Sequence, residues 1–201
     1  MIKKLFVLVL LTFSALSLDA QIIKTSFGIK GAGVATVVST PKDATYSGSI
    51  GGGGGAFFGL KLINFIGVQA EAMYTMQTVN YNYENPEDLG TYHGTQSYIL
   101  LPAVAQLWLG RGLAFEVGIQ KAIGHGERTM SNEVPKDAIG IQDYDSYIAG
   151  INLNLGKVGV LNFRYLTGIE GTYSKENPGA TQSVQVSLGF RLFSSKKHLF
   201  R

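Results

Sequence analysis

The stretch Thr181-Gln182-Ser183-Val184-Gln185-Val186-Ser187-Leu188-Gly189-Phe190-Arg191-Leu192-Phe193 decides the fold. Val184, Val186, Leu188, Phe190 and Leu192 fall on one side of an extended chain. Ser183, Gln185, Ser187, Gly189 and Arg191 fall on the other. Successive side chains of a strand point to opposite faces, so this period of two predicts one greasy face and one polar face.

Seven more segments upstream share the period. They run from Ser26 to Val38, Ile50 to Leu62, Ile66 to Val79, Ser97 to Leu109, Gly112 to Ile123, Ser146 to Leu155 and Val158 to Ile169. In the third, Ile66, Val68, Ala70, Ala72, Tyr74 and Met76 alternate with Gln69, Glu71 and Gln77. In the fifth, Leu113, Phe115, Val117 and Ile119 alternate with Glu116, Gly118 and Gln120. Short connections at 63–65, 110–111 and 156–157 interleave with long ones at 39–49, 80–96, 124–145 and 170–180. Short turns at one end and long loops at the other describe an even-stranded meander, as in bacterial outer-membrane barrels. Closing such a sheet on itself removes its exposed edges. The predicted fold is therefore all-β: an eight-stranded antiparallel up-and-down transmembrane β-barrel.

Alternation does not say which face points outward; composition does. The polar faces carry few charges (Lys30, Lys61, Glu71, Glu116, Arg164 and Arg191) among Gly, Ala, Ser, Asn and Gln. Only 15% of all residues are charged, whereas a water-facing surface calls for about 25–35%. A narrow lumen filled by side chains suits this set better. Buried charges need partners, and both signs are present. A structural lumen charge network of Lys30, Glu71, Glu116, Arg164 and Arg191 is expected. Tyr74, Tyr98, Trp108, Tyr147 and Tyr165 are expected in aromatic girdles on the outward face or near strand ends. Pro102 removes a ladder donor from the fourth strand and predicts a bulge or local register break there.

Residues 1–20 read as a secretory signal peptide: Lys3 and Lys4, then the apolar run Leu5 to Leu11, then Ala20 before the cleavage point. The run is shorter than the roughly 20 residues a spanning helix needs. The barrel domain is expected over 21–201, located in the outer membrane. The charge is polarised along the barrel. The long loops hold acids such as Asp43, Glu84, Glu133 and Asp137, with four bases: Lys42, Arg128, Lys136 and Lys175. Lys24, Lys61, Arg111, Lys157, Lys196, Lys197 and Arg201 cluster at the short turns and chain ends, without an acid. This pattern gives no basic face for nucleic acid.

Several of these segments resemble a known family. Phe27-Gly28-Ile29-Lys30-Gly31-Ala32-Gly33, Gln69-Ala70-Glu71-Ala72-Met73-Tyr74, Leu101-Pro102, Phe115-Glu116-Val117-Gly118-Ile119-Gln120 and Phe163-Arg164-Tyr165-Leu166-Thr167-Gly168 look like the outer-membrane β-barrel family that includes PorT-like proteins. The resemblance spans nearly the whole chain after residue 20. It implies an eight-stranded outer-membrane barrel and, for some members, a link to secretion machinery. Gly189-Phe190-Arg191-Leu192-Phe193 resembles the aromatic-terminated assembly signal of such barrels, although eight residues follow it here.

Other motifs have ordinary readings. Gly51 to Gly55 lacks the Gly-Lys-Ser/Thr ending and following helix of a phosphate loop; close strand packing, a kink or a narrow lumen explains it better. The chain has no cysteine, which excludes disulfides, thiolate metal sites and cysteine nucleophiles. Asp143 and Asp145 read as a solvated acidic loop rather than a cation site. No catalytic residue, cofactor or metal is expected. Expected partners are outer-membrane lipids, the barrel-assembly machinery, and a protein reached through the long loops.

The leading function is a structural or interaction barrel, with a secretion-related role in view. A small-solute channel would conduct in planar bilayers. A periplasmic lipocalin-like carrier of apolar ligands would dissolve without detergent. A lipid acyl hydrolase would need His93 or His125 beside a serine such as Ser97, with no nucleophile elbow to support it.

Overall fold

A computed structural model describes residues 22–38, 45–62, 65–85, 88–110, 112–130, 144–169 and 181–198. The expected signal peptide over residues 1–20 and the loop acids Asp43, Glu133, Asp137 and Asp143 lie outside the described residues. Eight strands follow in chain order: β1 (Ile22–Val38), β2 (Thr45–Lys61), β3 (Ile66–Asn85), β4 (Asp88–Leu109), β5 (Leu113–Met130), β6 (Tyr144–Leu155), β7 (Gly159–Gly168) and β8 (Thr181–His198). Each pairs antiparallel with its sequence neighbours. β1 pairs with β8 from Ile22↔His198 to Val38↔Thr181, which closes the barrel.

The short turns form where the alternation predicts them. Gly110 and Gly156 hold φ of 72° and 69° at two of them, a left-handed conformation that glycine adopts without a Cβ penalty. The glycine run lies inside β2. A Cβ on Gly53 would sit 2.0 Å from the Tyr74 carbonyl oxygen, and one on Gly55 would sit 2.0 Å from that of Ala72. Side chains there would force β3 away, so the run serves close strand approach.

The long-loop end differs from the sequence expectation. The second connection, expected over 80–96, is mostly ladder: β3 and β4 stay in register from Thr78↔Thr95 to Asn85↔Asp88. β5 likewise runs on to Met130. Tyr81 and Tyr83 keep the period of two here, with asparagines between them. Both faces are polar enough to disguise it, because a ribbon beyond the apolar zone has no lipid to meet. β4 is 22 residues long, about twice the 9–11 residues that cross a bilayer.

Pro102 produces neither a bulge nor a register shift against β3. Register holds from Ala70↔Ala103 to Met73↔Leu100, and Pro102 faces Gln120 on the other side. The pairing with β3 merely lapses at the two rungs beside the proline, whose nitrogen has no hydrogen to donate. A bulge occurs instead at Phe27/Gly28, where Phe27 pairs Phe193 and Gly28 pairs Arg191. Leu192 is the extra residue, so Leu192 and Phe193 both face outward, at 63% and 59% exposure. The strand then continues to His198, so the segment after Phe193 extends the ladder.

The apolar faces point out. Every strand contributes exposed large side chains, among them Phe27, Phe58, Met76, Leu107, Val117, Ile151, Phe163 and Val186. This is the inverse of a lipocalin. The inward faces are buried and carry Lys30, Gln69, Glu71, Gln106, Glu116, Asn152, Asn162 and Arg164.

Candidate functional site in the lumen

Four of the five expected lumen charges meet in one layer. Lys30 (β1) and Arg164 (β7) reach across the tube to Glu71 (β3) and Glu116 (β5), side chains with no solvent exposure. The Glu71 Oε1 accepts from Lys30 Nζ at 2.6 Å and from Gln69 Nε2 at 2.6 Å. The Arg164 guanidinium grips Glu71 with both terminal nitrogens, at 2.9 and 2.6 Å. Its Nε donates to Glu116 Oε2 at 2.8 Å. This bidentate geometry suits arginine and not lysine.

The second Glu116 oxygen accepts from three amides: Gln106 at 2.8 Å, Asn152 at 3.0 Å and Asn162 at 3.1 Å. Asn162 accepts in turn from Ser187 at 3.3 Å. Phe57 of β2 lies under the Lys30 ammonium, 5.7 Å from nitrogen to ring centre. All eight strands thus contribute to one cross-brace of two cations and two carboxylates, whose charges cancel. Shared inward parity points these residues into the tube, and the register of the closed barrel sets them at one height.

Arg191 stands apart from this layer. It sits at the short-turn mouth, donating to Asn154 and, at 3.5 Å, to the Lys157 carbonyl oxygen. Its β8 register places it beyond the level of Glu71 and Glu116.

A second closure lies toward the long loops, and the sequence reading did not name it. Met73, Tyr98, Leu100 and Ala122 form one buried apolar cluster; Val104, Ile148 and Leu166 form another. Tyr98 and Trp108, expected in the girdles, are inward and buried at 7% and 8% exposure, while Tyr74, Tyr147 and Tyr165 face out. The parity of β4 carries the signal: with Ile99, Leu101 and Leu107 outward, positions 98 and 108 must point in. A cavity of about 10 Å³ remains beside Gln120 and Gln185, around the size that holds one water. From the ion layer to these clusters the lumen is therefore filled by side chains.

Among the described residues no group of acids and histidines could hold a metal ion. The side chains of His93 and His125 lie outside the description. Their backbones place His93 opposite Asn80 and His125 opposite Ser97.

An inward polar brace, an outward apolar surface and a closed antiparallel ladder define a small β-barrel of the transmembrane class. Of three solved structures that align with the chain, the first supports the fold. Neisserial surface protein A aligns with a TM-score of 0.52 at 11% identity, covering 84% of this chain and 99% of that one. Ail, the attachment invasion locus protein of Yersinia pestis, aligns at 0.47 and 17% identity, covering 85% and 99%. The outer membrane protein OprG from Pseudomonas aeruginosa aligns at 0.42 and 13%, covering 89% and 97%. By sequence, no protein-family profile and no curated protein matches the chain.

Proposed function

We propose that the chain is an exported outer-membrane barrel with a structural or interaction role, its residues 1–20 removed as a signal peptide. The observation that carries this reading is the inversion of the barrel: apolar side chains outside, cancelled charges inside. Water would not tolerate the first, and an open pore would not need the second. Outer-membrane lipids are then its solvent, and the barrel-assembly machinery inserts it. The acidic long-loop segments, with the extended β3–β4 ribbon that carries Glu84 and Asp88, present a surface to a protein partner. The resemblance to PorT-like proteins favours a secretion-related partner. No enzymatic step is assigned.

The absence of cysteine makes the test clean. A single cysteine placed within 131–143 should react with a membrane-impermeant maleimide on intact cells, and one placed at Lys157 should not. The processed protein should stay with carbonate-washed outer membranes and show heat-dependent mobility on gels. Protein freely dissolved without detergent, or the opposite labelling pattern, overturns the reading. Affinity capture from native membranes in mild detergent tests the partner.

A further inference from the structure

The short-turn mouth of the barrel is a basic cup. It encloses about 830 Å³ and is lined by Lys24, Lys61, Arg191, Trp108, Asn154 and the amides that roof the ion layer, with no carboxylate in the lining. Glu71 and Glu116 are just beneath, but Lys30 and Arg164 already balance them. Among the described residues no carboxylate pairs with the three mouth cations.

Trp108 supplies a second, independent observation. It is buried at 8% exposure, yet its indole N–H has no hydrogen-bond partner. Tryptophan normally finds one when buried. Trp108 itself lines the cup. The Lys61 ammonium lies 4.5 Å from the Trp108 ring centre, so an orphaned donor and a cation share one wall. Asn152 Oδ1, also unpaired, is an acceptor at the floor, suited to a ligand hydroxyl or hydrogen phosphate.

We propose that this cup is a binding site for a small multivalent oxyanion, a phosphate or polycarboxylate, held by Lys24, Lys61 and Arg191 with Trp108 donating to it. The cup opens along the barrel axis into the water beyond the short turns, so the ligand is a dissolved solute rather than a lipid. Its volume falls within the roughly 300–1,000 Å³ of small-molecule sites. This site is independent of the partner role assigned to the opposite end.

Trp108 is the sole tryptophan and reports on the site directly. The full-length protein, folded in an uncharged detergent, is titrated with inorganic pyrophosphate at constant ionic strength, with chloride as control. A saturable change in Trp108 emission is expected, together with broadening of the pyrophosphate phosphorus resonance. The Lys61→Gln/Arg191→Gln variant should lose at least tenfold in affinity by the phosphorus readout, which does not depend on the indole. Lys24→Gln, at a position with no described side-chain bond to disrupt, should lose a few-fold and guards against failure of the double variant to fold. An emission change matched by chloride, or unaltered binding in these variants, overturns the proposal.

Discussion

Replacing Arg164 by methionine tests the lumen brace most sharply. The substitution keeps length and apolar bulk but removes three hydrogen bonds, two to Glu71 and one to Glu116. Glu71 keeps Lys30. Glu116 keeps three amide donors on one oxygen and loses Arg164 from the other. One buried negative charge is left over. Breaking a buried pair from one side costs about 3–5 kcal/mol. The expected destabilisation at pH 7 is therefore about 3–5 kcal/mol. Reversible urea unfolding in lipid vesicles, followed by Trp108 emission, measures it. Adding Glu116→Gln should restore most of the loss at pH 7, since the layer is then neutral again. A loss below about 1 kcal/mol at pH 7, or one indifferent to Glu116→Gln, refutes the account.

Three further outcomes follow from the same geometry. Gly53→Ala places a Cβ against the Tyr74 carbonyl and should cost about 1–3 kcal/mol by overpacking, whereas Gly54→Ala, whose Cβ would lie 3.4 Å from the nearest atom, should leave the urea midpoint nearly unchanged. Val186→Lys, on the outer face of β8, should cost about 2–4 kcal/mol in vesicles, and Gln182→Lys near the long-loop rim about 0–1 kcal/mol; equal costs would mean that the apolar zone does not sit in lipid. Planar bilayers containing the wild-type protein should show no steady conductance, because the ion layer and the Met73–Leu100 cluster both close the tube, and reproducible ohmic steps would contradict that closure.

The alternation of residues such as Val184, Val186 and Leu188 with Gln185 and Ser187 was enough to determine strand count and pairing order, and the sparse charge of the polar faces told which side points out. Those properties are local: a strand's parity is fixed by its own sequence, and short turns bind neighbours into a meander. Parity also carried the inward placement of Tyr98 and Trp108, which interfacial chemistry had obscured. The two-faced polarity of 80–96 hid a ribbon, because nothing apolar marks a strand standing in water. Sequence gave the members of a charge layer without its levels. Glu71, Glu116, Arg164 and Lys30 meet because register sets them at one height in the tube, and Arg191 misses them because β8 carries it to the mouth. Height around a closed barrel depends on the register of all eight strands at once, a relation that no single segment contains. The tertiary structure alone therefore decided which charges cancel and which stand free beside Trp108.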